Sequence, residues 1–222
     1  MQTMKNPFLI NGYDGPEHFC GREKEMASLQ SAIENGRNVT LIAPRRYGKT
    51  GLIRNFFYER KDCTCIYLDL FPIQNLTSFT NHLASAVVGA LESRLERMGS
   101  VLRHFFKGCR PTLESRPDGG FLFSLNVVNE TAANSLEETF RYLGSKKQRI
   151  VIALDEFQQV ACFPEGNVEA LLRSYIQTNP DIRFIFAGSR QHIMNEMFLS
   201  SPRPFYHSTQ IMTLAPIEEE EY

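Results

Sequence analysis

No stretch of this 222-residue chain approaches the roughly 18 apolar residues of a membrane span, and no basic N-terminal segment leads into a long apolar core. A protein without membrane association, located in the cytoplasm, is expected. Charge of one sign is also lacking: 24 Lys+Arg against 25 Asp+Glu leave a formal net charge of −1. With no long basic run, this argues against tight nucleic-acid binding by charge alone. The five cysteines are odd in number and scattered, and Cys63-x-Cys65 is too closely spaced for a zinc knuckle or a dithiol redox motif. Reduced, mostly buried thiols are expected. His18, His82, His104, His192 and His207 form no i, i+4 pair or ligand-spaced cluster, which argues against a structural metal. No Pro/Gly-rich linker, low-complexity tract or solenoid-length repeat divides the chain, so a single domain over residues 1–222 is expected.

Against these absences, one segment carries chemistry. Asn38-Val39-Thr40-Leu41-Ile42 is a short apolar strand that runs into Ala43-Pro44-Arg45-Arg46-Tyr47-Gly48-Lys49-Thr50-Gly51, and helical spacing resumes at Leu52. Strand, Gly-Lys-Thr loop and helix in that order make a phosphate-binding loop. Backbone N–H groups converge on an anion, the Lys49 ammonium serves the terminal phosphates and the Thr50 hydroxyl serves Mg²⁺. The helix behind Thr50 adds its positive N-terminal dipole. Ala43 stands where glycine is usual and places a Cβ at what would be the tightest point of the turn.

Such a site needs an acid at the end of a neighbouring strand to hold the water shell of Mg²⁺. Arg149-Ile150-Val151-Ile152-Ala153-Leu154-Asp155-Glu156 is an apolar run ending in two carboxylates, the pattern of a parallel strand buried on both faces. Asp155 is assigned to the metal and Glu156 to the attacking water as general base. A third strand ends at Gly188-Ser189. Ser189 either faces the γ-phosphate and the lytic water or caps the helix beginning near Gln191, and spacing alone does not separate these. With Cys65–Leu70 and Gln210–Leu214, five strands alternate with helical stretches, as in a three-layer α/β domain.

The region from Leu76 to Asn129 exceeds what such a domain needs. Leu83, Val87, Leu91, Leu95 and Met98 recur at helical spacing and predict a long amphipathic helix packed on the sheet. Arg103–Arg110 is basic with interleaved aromatics, and Phe121, Phe123, Leu125 and Val127 alternate as in an extra strand or hairpin. This insertion is either a partner-reading surface, for example for nucleic acid, or a solvated loop around a structural strand; the short basic cluster favours the second.

With these residues in view, the chain resembles the P-loop ATPases of the AAA+ type, and most closely the archaeal-type ATPase family. Asn6-Pro7-Phe8 and Phe19-Cys20-Gly21-Arg22-Glu23 resemble that family's N-terminal box, Pro44–Thr50 its loop, and Val151–Gln158 its second motif, including Phe157-Gln158 after the acids. The resemblance implies a three-layer α/β/α P-loop fold with a mostly parallel five-stranded sheet of order 5-1-4-3-2. It implies phosphate and Mg²⁺ binding by Gly48, Lys49 and Thr50, metal binding by Asp155, a catalytic base in Glu156 and a sensor in Ser189. Phe19, Gly21 and Arg22 belong to the implied nucleotide site, with Leu29 beside the adenine.

Two departures stand out. Tyr206-His207-Ser208 lacks the arginine the family often carries before its last core strand, leaving Arg203 as the nearest substitute; otherwise Arg203 is a solvated loop residue between prolines. The segment Leu214–Tyr222 resembles the place where a helical lid and a winged-helix-like domain normally follow. The expected function is Mg²⁺-dependent binding and hydrolysis of ATP, coupling ATP and ADP states to a conformational change in a partner or a C-terminal region. Two alternatives stay open: a non-catalytic nucleotide switch, and a DNA-handling ATPase related to origin-recognition proteins.

Overall fold

In the run Ile150–Asp155, alternate side chains enter two different cores, and this parity organises the molecule. The computed structural model describes residues 13, 15–92, 99–101, 104–106, 108–115, 121–127 and 131–217. Five strands form one sheet: β1 (Val39–Ile42), β2 (Thr64–Asp69), β5 (Ile150–Asp155), β6 (Ile182–Gly188) and β7 (Gln210–Thr213). Their order is β2-β5-β6-β1-β7, and every pairing is parallel. Two further strands, β3 (Cys109–Ser115) and β4 (Phe121–Val127), pair antiparallel in a separate sheet. They raise the chain numbers of the later strands, so the order differs from the expected one in chain numbering. Counted among the five sheet strands alone, it reads 5-1-4-3-2 from the β7 edge.

One face of the sheet presents Val39, Leu41, Val151, Ala153, Ile185 and Ala187 to helices α1 (Glu23–Glu34) and α2 (Lys49–Glu59), which contribute Leu29, Ile33, Leu52 and Phe56. The other presents Ile42, Ile152, Leu154, Phe184 and Phe186 to α3 (Leu76–Leu91), α4 (Ala132–Gly144), α5 (Val168–Thr178) and α6 (Gln191–Leu199). Two apolar layers around a doubly buried sheet explain why the central strands read as unbroken hydrophobic runs. Asp155 shares the parity of Val151 and Ala153, so the strand delivers it to the α2 side.

Helix α3 begins at Leu76 behind Asn75, whose side chain accepts from Ser78 N, and ends at Leu91. Leu83 and Val87 are buried as the stripe predicts; Leu95 and Met98 lie outside the described residues. The stripe meets more than the sheet, because α3 packs on β2, α4 and β4 together. The expected hairpin is the β3–β4 pair, fastened to α3 where Asn81 Oδ1 and Ser85 Oγ accept from Val127 N and Leu125 N at 2.9 and 2.7 Å. Of the basic cluster, Arg103 and Lys107 lie outside the described residues. The thiols correct an expectation. None of the five is in a disulfide, but Cys20 and Cys162 are exposed and Cys63, Cys65 and Cys109 only half-buried. Cys63 precedes and Cys65 lies in β2, which among the described residues pairs with a strand on one side only.

Directly after β5 the chain turns through Phe157–Cys162 and plants Phe157 in a cluster with Phe186, Phe198 and Phe205. All four rings are at most 1% exposed, and neighbouring centroids lie 4.7 to 5.9 Å apart, within the range of favourable aromatic pairs. Above it, Gly188 ends β6 in close contact with Gln158 and Met194. A Cβ there would stand 2.5 Å from Gln158 Oε1 and from Met194 Cγ and Sδ, inside any tolerable contact. Gly188→Ala is therefore expected to lower unfolding stability by about 1–3 kcal/mol, the usual cost of overpacking, as measured by urea denaturation. A change under about 0.5 kcal/mol, the size of an indifferent surface substitution, would contradict the packing described.

Candidate active site

The loop between β1 and α2 obtains its shape from two left-handed residues, Arg46 at φ 68° and Gly48 at φ 80°. Ala43 is not one of them. It is fully buried against the α1/α2 core, and its N–H donates to Gly188 O at 3.3 Å. Its methyl group fills core space rather than straining the turn, which removes the steric objection raised by the missing glycine. Gly48 caps α2, and Lys49 is its first residue.

Lys49 is 5% exposed, and its Nζ donates to the carbonyls of Ala43 and Pro44 at 2.9 and 3.0 Å. The ammonium thus closes the loop from inside. Burial lowers its pKa, Glu156 and Asp155 raise it in turn, and Arg45 lowers it. Arg45 and Arg46 are exposed, with the Arg45 guanidinium 5.8 Å from the Phe71 ring centre. Tyr47 packs at the margin of the α1/α2 core.

Thr50, one residue into the helix, donates from Oγ1 to Asp155 Oδ2 at 2.7 Å. The Tyr67 hydroxyl donates to the same oxygen at 2.7 Å, while Asp155 Oδ1 accepts from Glu156 N at 2.9 Å. Asp155 is 3% exposed. A buried carboxylate so placed is stabilised by its donors. Burial first, and then the Asp155 charge, raise the Tyr67 pKa, so the phenol keeps its proton and remains a donor at neutral pH.

Glu156 itself is left-handed, at φ 54°, a conformation that costs a non-glycine residue energy and is concentrated at functional sites. Its Oε2 accepts from Ser189 Oγ at 2.7 Å and from Gln158 Nε2. The two readings of Ser189 are thereby separated geometrically. Helix α6 starts at Gln191 with Arg190 as its cap and no side-chain cap bond, so Ser189 serves Glu156 rather than the helix.

Residues 19–23 of the N-terminal box close the other side, while Asn6-Pro7-Phe8 lie outside the described residues. Gly21 is left-handed at φ 64°, as is Arg22 at φ 69°. The Phe19 ring lies 3.8 Å from where a Cβ on Gly51 would stand. Arg22, 3% exposed, pairs with Glu25 at 2.7 Å and donates to Tyr47 O at 3.2 Å and Ala215 O at 2.6 Å. It joins the box, the loop and the segment after β7. Leu29 is fully buried in the α1/α2 core.

Arg203 follows neither sequence reading cleanly. It is 29% exposed and paired with Glu169 at 2.5 Å and Glu196 at 3.5 Å, within its own chain. Burial raises the Glu169 pKa and Arg203 counters it. Sequence reasoning missed Tyr67, which belongs to no motif. The signal available was register: Tyr67 pairs with Ala153, so it shares the α2 face with Asp155, one step back along that face.

The sequence matches the model of a family described as the ATPase domain predominantly from Archaea over residues 19–218. A search of curated proteins finds no significant match. Among solved structures, a Walker-type ATPase of Pyrococcus abyssi superposes with a TM-score of 0.65 at 18% identity, covering 97% of this chain and 59% of the other. The Aeropyrum pernix ORC1 protein in complex with DNA gives 0.60 at 14% identity, covering 91% and 47%. The Aeropyrum pernix ORC2 protein in ADPNP–ADP complexes gives 0.57 at 16%, covering 90% and 49%. The chain thus spans about half to three-fifths of the length of these structures, and identities this low speak for shared fold. The family match extends over nearly all of the sequence and includes the loop, both acids and Ser189: the chain belongs to the family of ATPase domains found predominantly in Archaea.

Proposed function

We propose that residues 1–222 form one ATPase domain that binds ATP with Mg²⁺, hydrolyses it and passes the change of nucleotide state to a partner or to further segments of a longer chain. The observation that carries this reading is the 2.7 Å bond from Thr50 to Asp155 beside the Glu156–Ser189 pair. It brings a hydroxyl from the loop helix and a carboxylate from β5 to one point. The donor set is hard oxygen, which suits Mg²⁺ held by one or two protein groups and phosphate oxygens. Among the described residues, no group of three or more His, Cys, Asp or Glu could hold a metal by itself. Bound there, Mg²⁺ would supply neutralisation of phosphate charge.

The residues divide the remaining work. Gly48 and the loop backbone, from Ala43 to Gly51, receive the phosphates at the N-terminus of α2. Lys49 exchanges the two carbonyls of its own loop for phosphate oxygens. Glu156 takes the proton of the attacking water, with Ser189 and Gln158 fixing its carboxylate. Phe19, Gly21 and Arg22 form the wall toward the base. A cytoplasmic setting is part of the proposal; among the described residues no helix is long and apolar enough to cross a membrane. The alternative of a non-catalytic nucleotide switch is favoured by one observation: Arg203 is engaged by Glu169 and Glu196 within its own chain.

Lys49→Ala is expected to weaken ATP binding at least about tenfold, the loss of a single charge-assisted contact, in a calorimetric titration. Glu156→Gln is expected to bind ATP within about threefold of the unaltered chain while phosphate release falls about 10²–10⁴-fold, the usual contribution of a general base. Undiminished release from Glu156→Gln would remove its assigned role. Absent release from the unaltered chain with Lys49-dependent binding intact would establish the switch.

A further inference from the structure

Tyr67 is joined to the site by two contacts that no motif specifies. Its hydroxyl donates to Asp155 Oδ2 at 2.7 Å, and its ring lies under the Arg54 guanidinium, 4.5 Å from the ring centre. Arg54 and Thr50 stand one turn apart on α2, so that helix touches both ends of the phenol: Arg54 directly and Thr50 through the shared carboxylate oxygen. The Asp155 carboxylate offers about four acceptor positions. Thr50 and Tyr67 occupy two on Oδ2, and Glu156 N occupies one on Oδ1. The carboxylate is thereby fixed in rotation, with its remaining acceptor position on Oδ1.

We infer that Tyr67 is a positioning residue for the metal: its hydroxyl locks the Asp155 carboxylate in the orientation in which it meets Mg²⁺, making β2 part of the metal site. This rests on the nucleotide reading above. Without the hydroxyl, the carboxylate keeps Thr50 on Oδ2 and Glu156 N on Oδ1 and is held less firmly in the orientation that serves the metal. Partners that orient a metal-binding side chain commonly contribute 10- to 100-fold to metal affinity. A ring that merely packed would have no such selective effect, because Phe fills the same space under Arg54.

The test is Tyr67→Phe in the full chain, read by two titrations and not by turnover. ATP is titrated calorimetrically in EDTA, and Mn²⁺ is then titrated into the ATP complex with free Mn²⁺ followed by electron paramagnetic resonance. Thermal unfolding reports whether the variant is folded. The inference predicts metal-free ATP affinity within about twofold of the unaltered chain and Mn²⁺ affinity reduced about tenfold or more. Mn²⁺ affinity within twofold of the unaltered chain would overturn it, as would a parallel loss in both titrations, which would make Tyr67 a structural residue of the loop. Failure of the unaltered chain to bind ATP in either titration would overturn the nucleotide reading and this inference with it. That outcome is recognisable because it appears without any substitution.

Discussion

The bond between Thr50 and Asp155 is the contact on which the site depends, because it is where two independently built elements meet. Thr50 is placed by the turn that opens α2, and Asp155 by the parity of β5. Neither position has freedom to adjust. Shifting β5 by one residue would put Leu154 against the loop and Asp155 in the aromatic core, where an unpaired carboxylate is untenable. The sheet therefore sets the register of the chemistry. Parallel pairing of β5 with both β2 and β6 holds that register from two sides.

One of the left-handed non-glycine residues stands immediately after this bond. Glu156 is left-handed, and the next residue, Phe157, is fully buried among Phe186, Phe198 and Phe205. The packing of that ring offsets the backbone cost and turns the Glu156 carboxylate toward Ser189 instead of along the strand. Gln158 completes the arrangement. It is 1% exposed, donates to Glu156, and fits only because Gly188 has no side chain. Sequence neighbours 155 to 158 thus take four places: a carboxylate bonded to Thr50, the carboxylate proposed as the base, a buried anchor and an orienting amide.

Much of this was legible in the sequence, for reasons that also mark the boundary. The strands were readable because burial on both faces leaves apolar runs, and the acids because such runs must end where water begins. Ala43 was misjudged because the loop motif shows which residues are present but not where the backbone turns; the left-handed positions are Arg46 and Gly48. Ser189 is ambiguous in the sequence because a helix cap and a group facing the γ-phosphate and lytic water demand the same small hydroxyl at the same place. The partners of Arg203 are not readable in the sequence, since Glu169 and Glu196 reach it from α5 and α6 only after the helices have packed. Tyr67 required the β2–β5 register, which pairing supplies and a single strand does not. The half-burial of Cys63 and Cys65 has the same kind of reason, because edge position belongs to the sheet and not to the segment.

On the proposed function the phosphate site is already assembled, with Lys49 held inside its loop by Ala43 O and Pro44 O until phosphate replaces them. A crystal structure of the chain with Mg²⁺ and a non-hydrolysable ATP analogue tests it directly. The account predicts the analogue's terminal phosphates within hydrogen-bonding distance of Lys49 Nζ, both carbonyl contacts lengthened, and Thr50 and Asp155 together at the metal. A nucleotide bound elsewhere, or Lys49 still seated on the two carbonyls beside it, would contradict the account.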